Sequence, residues 1–442
     1  MEKQTVRSWW LVSIAMIGAC MSGVSFVSVP GMVGASGFAY LQMCIGFFCG
    51  YLVIAFVLSP LYFRLGVVSV YQYLEQRFGM ASYKSGAWFF FISKLLGASV
   101  RLYLVCLVLQ MLLFEPLGVP FFVNVLISCA VIFLYTFRGG VKSVIWMDVV
   151  KTVSMIVAVV LSVVFIAGYF GTGFRGTLSL VAGSGMAKVF WFDDPLSPYY
   201  FWKQFFGGLL MVIAMTGLDQ DMMQRTLATK DAKASRNNLI LSSLLQTVVI
   251  AMFLFLGVLL YLFADATGVK ETGDKLFPAV ATGGVLPSVV AVFFIIGLAL
   301  SAYGSGGSAL TALTTSFTVD ILGSSRESVR KIVHAVIALA MGVTIVVFAA
   351  LNSTSAIDAV YRLASYTYGP ILGLFAFGIM TRRRVRDKWT PAIAVAAPLI
   401  CLVLDLNSAR WFAGYRFGYE LLTLNAALVF LGLLLASRRR AA

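Results

Sequence analysis

Charge is what this chain has least of. Of its 442 residues only 12% are Asp, Glu, Lys or Arg, and 60% are apolar. A water-soluble domain carries about a quarter charged residues. With a mean hydropathy of +0.94, there is too little polar surface to clothe a body of this size in water, which excludes soluble globular, disordered and collagen-like classes. Histidine occurs once, at His334, so a His-rich metal site is excluded. The six cysteines (Cys20, Cys44, Cys49, Cys106, Cys129, Cys401) lie in apolar runs without the spacing of a metal knuckle, and read as small hydrophobes. No GxxxxGK[ST] run is present, so direct use of ATP is not expected. No nucleophile–base pair or metal cluster falls at membrane depth, and an enzyme is not expected either.

What the chain has instead is twelve apolar stretches, at about 9–30, 38–63, 85–114, 119–137, 146–170, 201–218, 237–264, 287–320, 332–351, 358–381, 390–406 and 418–437. Each is near the roughly 20 residues that a helix needs to cross a bilayer. The first is too long and too interrupted by polar residues for a cleavable signal peptide. Counted loop by loop, 22 of the 33 Lys and Arg fall on one side of such an arrangement and 7 on the other. The positive-inside rule then predicts both termini in the cytoplasm, as an even number of spans requires. It also accounts for the net charge of +15 without a nucleic-acid partner. The short loops and the basic face suit a bacterial inner membrane.

The informative residues are those that disturb the spans. Span 1 contains Gly18, Gly23, Ser22, Ser25, Ser28 and Pro30 within fourteen residues, a pattern that weakens a helix and frees backbone carbonyls. Span 6 opens with Phe205-Phe206-Gly207-Gly208 and closes with Thr216-Gly217, and is similarly interruptible. The two lie five spans apart, and five is odd, so two sets of five would be inverted relative to one another. Broken helices at matching places in inverted halves point to a solute and ion site near the bilayer midplane. The alternative is that small residues only let helices pack closely. In span 8, Ser301, Ser305, Ser308 and the Thr311–Ala312 step recur at i, i+4, i+7 and i+11, which makes one hydroxyl-bearing face suited to a hard monovalent cation.

Four basic residues fall inside spans: Lys94, Arg101, Lys151 and Arg362. Such charges are costly at membrane depth. Arg101, with no acidic neighbour in its own span, invites an anionic partner such as a solute carboxylate, or else bonds carbonyls or Glu115. Asp148 and Lys151 stand at i and i+3, either as an ion pair near the interface or as part of an ion site. Lys94 shares the face of Arg101 and can snorkel. Arg362 reads as a gate residue or a partner of Asp358.

Four stretches carry a family resemblance over nearly the whole chain: Tyr135-Thr136-Phe137-Arg138-Gly139-Gly140 with Val144-Ile145-Trp146-Met147-Asp148; Asp219-Gln220-Asp221-Met222-Met223-Gln224-Arg225-Thr226-Leu227-Ala228; Val70-Tyr71-Gln72-Tyr73-Leu74-Glu75-Gln76-Arg77-Phe78; and Thr318-Val319-Asp320-Ile321. In this order they resemble the sodium:solute symporter family. The resemblance implies an all-α membrane protein of about twelve helices with a LeuT-type fold. It would comprise a five-helix repeat (1–170), an outer loop (171–200), a second, inverted repeat (201–381) and two trailing helices with a basic tail (382–442). It implies alternating access by a secondary transporter, Na+ as coupling ion, no organic cofactor, and a monomer sufficient for the fold. Carried over by motif, the sodium positions are Gly18, Met21, Ser301, Gly304 and Ser305, and a second ion would use Asp148 with Ser305 and Ser308.

The chain departs from the family pattern at Gly304 and Gly307, where hydroxyls are usual, and at Lys151, where a glutamine is usual. A lysine one turn from Asp148 could take the place of the second ion, so the expectation is one coupling sodium at most. Ser22, Ser25, Phe38 and Gln42, with Cys20 and Arg101, look similar to the solute site of the family's bacterial sialic acid transporters, although Arg101 falls one turn late, with Gly97 at the matching position. A carboxylated sugar or other small organic anion is the expected solute. Sodium-independent or proton-coupled carriage of a neutral sugar, amino acid or other nutrient, and a non-transporting sensor, stay open as alternatives.

Overall fold

The computed structural model describes residues 22–66, 69–138, 141–227, 229, 231–324, 326–351 and 355–438, with backbone only at 135, 138, 141–148, 225, 227 and 438. Among the described residues, each of the twelve apolar stretches contributes a helix, the first only from Gly23 onward. They are α1 (Gly23–Ser36), α2 (Tyr40–Leu65), α3 (Met80–Phe114), α4 (Phe121–Arg138), α5 (Val141–Tyr169) and α6 (Phe201–Val212, prolonged by a π-turn at Ile213–Gly217). The second six are α7 (Ala232–Thr267), α8 (Ser288–Ile321), α9 (Glu327–Leu351), α10 (Ala356–Thr367 and Gly369–Met380, bent by 49°), α11 (Thr390–Trp411) and α12 (Leu421–Ala436). Seven of the described helices are long and apolar enough to cross a bilayer alone, and the bent α10 is an eighth. α1, α4 and α12 are shorter apolar helices. The protein is an integral membrane protein.

Several helices start before their apolar runs because polar side chains cap them. Asp387 accepts from the backbone N–H of Ala81 (2.8 Å) and of Ser82 (2.9 Å), which lets α3 begin at Met80. A carboxylate satisfies the orphan donors of a helix start and complements its dipole. Asp231 does the same for α7 through Ala234 N–H (2.7 Å). At the other end of the bent helix, Arg77 closes α10 by donating to the carbonyls of Gly378, Thr381 and Arg383. The connections on this basic side are thereby tied together, and Arg384–Val385 pairs with Ser437–Arg438 in a two-residue antiparallel ladder.

The packing has an internal symmetry. α1 packs on α7 as α6 packs on α2; α5 packs on α8 as α10 packs on α3; α4 packs on α8 as α9 packs on α3. The remaining large contacts, α2 with α7, α3 with α8 and α4 with α9, map onto themselves when αn and αn+5 are exchanged. α11 and α12 lie outside this scheme and pack chiefly on one another and on the second half of α10.

Glycines set the closest approaches. A Cβ at Gly46 would collide with the carbonyl of Phe205, and one at Gly208 with that of Met43, so α2 and α6 meet backbone to backbone. In α7, a Cβ at Gly257 would stand 2.5 Å from Pro30 O of α1. The span 6 expectation holds at one of its two points. α6 is unbroken helix through Gly207-Gly208, which are packing positions. It ends in a π-turn at Thr216-Gly217, and the chain leaves the helix at Leu218-Asp219 before a short helix at Gln220–Leu227. The core is built around Phe26 of α1, fully buried against Phe253, Phe277 and Phe294.

Candidate functional site

Where α1, α3, α6, α8 and α10 converge, the fold leaves a cavity of about 120 Å³. One water occupies roughly 10–15 Å³ by such a measure, so there is room for several waters or a small solute. Ser22 and Ser25 of α1, Arg101 of α3, and Gly304, Ser305 and Ser308 of α8 all face it. Residues singled out from three distant parts of the sequence therefore share one wall. Cys20, with Gly18 and Met21, lies outside the described residues, as does the side chain of Asp148.

Ser22 is extended (φ −90°, ψ 167°) and α1 starts at Gly23, so the start of the described helix falls at the cavity. The outer half of α1 serves packing: Gly31 and Gly34 abut Gly273 and Tyr261. The packing reading of small residues holds for the described glycines of α1. Gly23 brings α1 against α8, and a Cβ there would lie 3.4 Å from Ser301 Oγ. On α8, Ser305 Oγ donates to Ser301 O (2.6 Å), which leaves the hydroxyl lone pairs for a cation. Ser301 Oγ is buried with no hydrogen-bond partner among the described residues. These are hard oxygen donors with no thiolate or imidazole among them, the chemistry that suits an alkali or alkaline-earth ion.

The basic residues part company. Lys94, 6% exposed, does not snorkel: its ammonium bonds Asp219 (3.2 Å) and Asp221 (3.1 Å) at the end of α6. Asp219 also accepts from Tyr368 Oη at the bend of α10 (2.8 Å) and from the N–H groups of Asp221 and Met222. Arg362 is not paired with Asp358. It faces Asp405 of α11 (3.6 Å), while Asp358 accepts from Tyr419 Oη (2.8 Å). Arg101 makes neither ion pair nor hydrogen bond with a described residue, and Glu115 is not its partner. Its guanidinium folds back over Gly97, where a Cβ would be 4.0 Å from Nη1. Helical side chains lean toward the N-terminus of their helix. The charge is therefore delivered at the height of residue 97, which offsets the one-turn displacement noticed in the sequence.

Two side-chain clusters flank the cavity. On the side away from the basic loops, Tyr40 Oη and Tyr361 Oη hydrogen-bond (2.5 Å) over Phe47. On the basic side stands the Lys94–Asp219–Asp221–Tyr368 cluster. Phe38 and Gln42 are corrections: neither lines the cavity. Gln42 is fully buried and spends its amide on the 171–200 loop, donating to Tyr199 O (3.0 Å) and accepting from Trp191 N–H (3.0 Å). Phe38 N–H donates to Lys188 O (3.1 Å) in the same loop. Their places are taken by Phe47 and Tyr51, deeper on α2, with Tyr51 donating to Gln246 of α7 (3.3 Å). Sequence reasoning missed this pair because aromatic residues are common throughout the spans.

The profile of the Sodium:solute symporter family matches residues 6–387. The chain belongs to that family. This member is 26% identical over 432 residues to the sodium/sialic acid symporter NanT of Aliivibrio fischeri, which covers 91% of this chain and 81% of the relative. It is 23% identical to the human sodium/iodide cotransporter (83% of this chain, 59% of the relative) and 25% identical to the human sodium-coupled monocarboxylate transporter 2 (84% and 61%). The chain thus spans about three-fifths of the length of these two human relatives. Among solved structures, a sodium-coupled sialic acid symporter in a substrate-bound outward-open state superposes with a TM-score of 0.78 at 18% identity, covering 99% of this chain and 92% of that one. Mhp1, a nucleobase-cation-symport-1 transporter, gives 0.64 at 13%, covering 96% and 91%. The fold of this symporter-family protein is LeuT-type, with two helices trailing the inverted five-helix sets.

Proposed function

We propose that the protein is a secondary active transporter that couples movement of a small organic anion to sodium by alternating access. The observation that carries the anion is Arg101, a guanidinium in the cavity wall with no ion pair or hydrogen bond among the described residues, while Lys94 is already matched by two carboxylates. A planar guanidinium in a low-dielectric cavity binds a carboxylate bidentately. The relatives named for sialic acid, monocarboxylates and iodide all act on anions, and the first directs the search to carboxylated sugars. Sodium would bind where α1 meets α8, through Ser305 Oγ and the carbonyl of Ser301 with the Gly304 region and the backbone of Gly18 and Met21. The pairing symmetry supports repeats over 1–170 and 201–381, and the basic loops support a cytoplasmic face there, in a bacterial inner membrane with both termini inside.

The test is uptake by proteoliposomes under an inward sodium gradient, with sialic acid first, then pyruvate, lactate and iodide. Sodium-driven accumulation of one anion, lost in Arg101→Gln, is the expected result. Equal uptake in choline, or accumulation of a neutral sugar untouched by Arg101→Gln, would sink the reading.

A further inference from the structure

Between the end of α10 and the start of α11 the chain runs extended from Thr381 to Arg386. Its side chains alternate: Arg382, Arg384 and Arg386 are exposed, whereas Thr381, Arg383 and Val385 are half-buried. Successive residues of an extended segment point to opposite faces, so the exposed arginines share one face. The other face is held inward. Val385 packs against the apolar core, and Arg77 bonds the carbonyls of Thr381 and Arg383. The ladder that joins this segment to the end of α12 places Arg438 directly opposite Arg384, and Arg386 N–H donates to Ala436 O (3.4 Å). Like charges at directly opposed positions weaken a ladder.

No described residue answers this charge. Arg382, Arg384 and Arg386 make neither an ion pair nor a side-chain hydrogen bond among the described residues. The one acid of the connection, Asp387, is spent on the start of α3, where it accepts from the N–H groups of Ala81 and Ser82 and from Ser82 Oγ (2.6 Å). Lys388 adds an exposed cation beside the exposed ring of Trp389. Just before the two strands, Ile379 and Met380 of α10 and Leu435 of α12 present exposed apolar side chains. A row of guanidinium groups therefore borders exposed hydrocarbon where two membrane helices end.

A basic tail in water would orient the chain in the bilayer and do no more. This segment has a fixed backbone that keeps its arginines on one face. Guanidinium groups bind phosphate bidentately, and basic clusters beside a membrane helix attract anionic headgroups. A phosphodiester headgroup with acyl chains matches both parts of the surface, the charge and the hydrocarbon. Free phosphate matches only the first.

We propose that this face binds an acidic phospholipid of the leaflet on the basic side. The lipid phosphate offsets the repulsion across the Arg384–Arg438 step and so fastens the α10–α11 connection to the end of α12. The inference does not depend on which solute or ion the cavity takes.

The experiment compares the full chain in nanodiscs of phosphatidylcholine alone and of phosphatidylcholine with phosphatidylglycerol. It reads the melting temperature and, by native mass spectrometry, the lipid that stays bound. Wild type is expected to melt higher with phosphatidylglycerol and to retain it, and inorganic phosphate added to phosphatidylcholine discs should not reproduce the rise. A basic residue near an anionic surface is worth about a fivefold change in affinity, so Arg382→Gln/Arg384→Gln/Arg386→Gln should hold the lipid roughly 100-fold more weakly. Lys233→Gln/Arg326→Gln/Arg330→Gln removes the same charge from the same side and should keep the full response. Arg384→Glu gives the opposed positions opposite signs. It should melt higher than wild type in phosphatidylcholine and gain less from phosphatidylglycerol, and it decides the matter if the glutamine triple variant does not fold. Equal melting of wild type in the two discs would overturn the proposal. Equal losses in the two triple variants would overturn it in favour of diffuse surface charge. A rise with inorganic phosphate alone would do so in favour of a soluble anion.

Discussion

At the scale of single residues, Arg101 and Gly97 act as a pair. The guanidinium occupies the space over residue 97 because a glycine there leaves it open. Arg101→Gly should therefore weaken binding of a carboxylated solute by roughly 10- to 100-fold, the worth of one charge-assisted hydrogen-bonding group. Adding Gly97→Arg should recover much of the loss, because the new guanidinium starts from the same face of α3. Isothermal titration of the two variants would check it. A recovery no greater than that of Gly97→Lys would argue against bidentate recognition. Ser305→Ala removes a candidate ion ligand and should abolish the sodium-specific rise in melting temperature. A ligand present at a hundred times its Kd stabilises by about 2.7 kcal/mol, so the loss is measurable. Lys94→Met removes the buried cation that bridges Asp219 and Asp221 and should cost about 3–5 kcal/mol. Asp219→Asn on that background should return part of it, as a double-mutant cycle in chemical denaturation would show.

Helix by helix, the same residue types serve two ends that local sequence cannot separate. Gly207-Gly208 and the glycines of span 1 looked alike as points of weakness, but α6 runs straight through its pair. Gly208 lets Met43 O approach, and Gly46 lets Phe205 O approach, so the α2–α6 contact has no room for a side chain. Gly208→Val should lower thermal stability by about 1–3 kcal/mol or more, as overpacking does. The folded fraction should keep its sodium response, since neither helix face at that contact reaches the cavity wall formed by α1 and α8. Gln42 shows the converse. A polar residue near the start of an apolar span reads as a solute ligand, and its amide is instead saturated by the backbone of a loop about 150 residues away. Nothing within span 2 could announce that, because hydrogen-bond partners so distant in sequence are chosen by the assembled fold.

For the molecule as a whole, the cavity sits between a tyrosine pair on one side and an ion-pair cluster on the other. Alternating access requires each layer to part while the other holds. Tyr361→Phe should raise the reactivity of a cysteine placed at Ser308, in a background lacking the native cysteines, toward an impermeant thiol reagent applied from the non-basic side. Asp219→Asn should raise it from the basic side. Equal effects from both sides would mean that the layers are scaffolding. The same reagent applied to intact cells should label a cysteine at Thr272 and spare one at Ser324, if the basic loops face the cytoplasm.

Hydropathy and charge alone determined that the chain lives in a bilayer and where most of its helices lie; the described part of the first, Gly23–Ser36, runs past the stretch expected at 9–30. The two signals could do so because burying backbone in lipid demands long helical runs, and such runs are local patterns. The order of a few motifs was enough for the family. Which helix touches which, the pairing of Lys94 with Asp219 and Asp221 and the folding of Arg101 over Gly97 were decided only by tertiary structure. Each depends on rotation about a helix axis and on depth in the membrane, and neither is written within any single span.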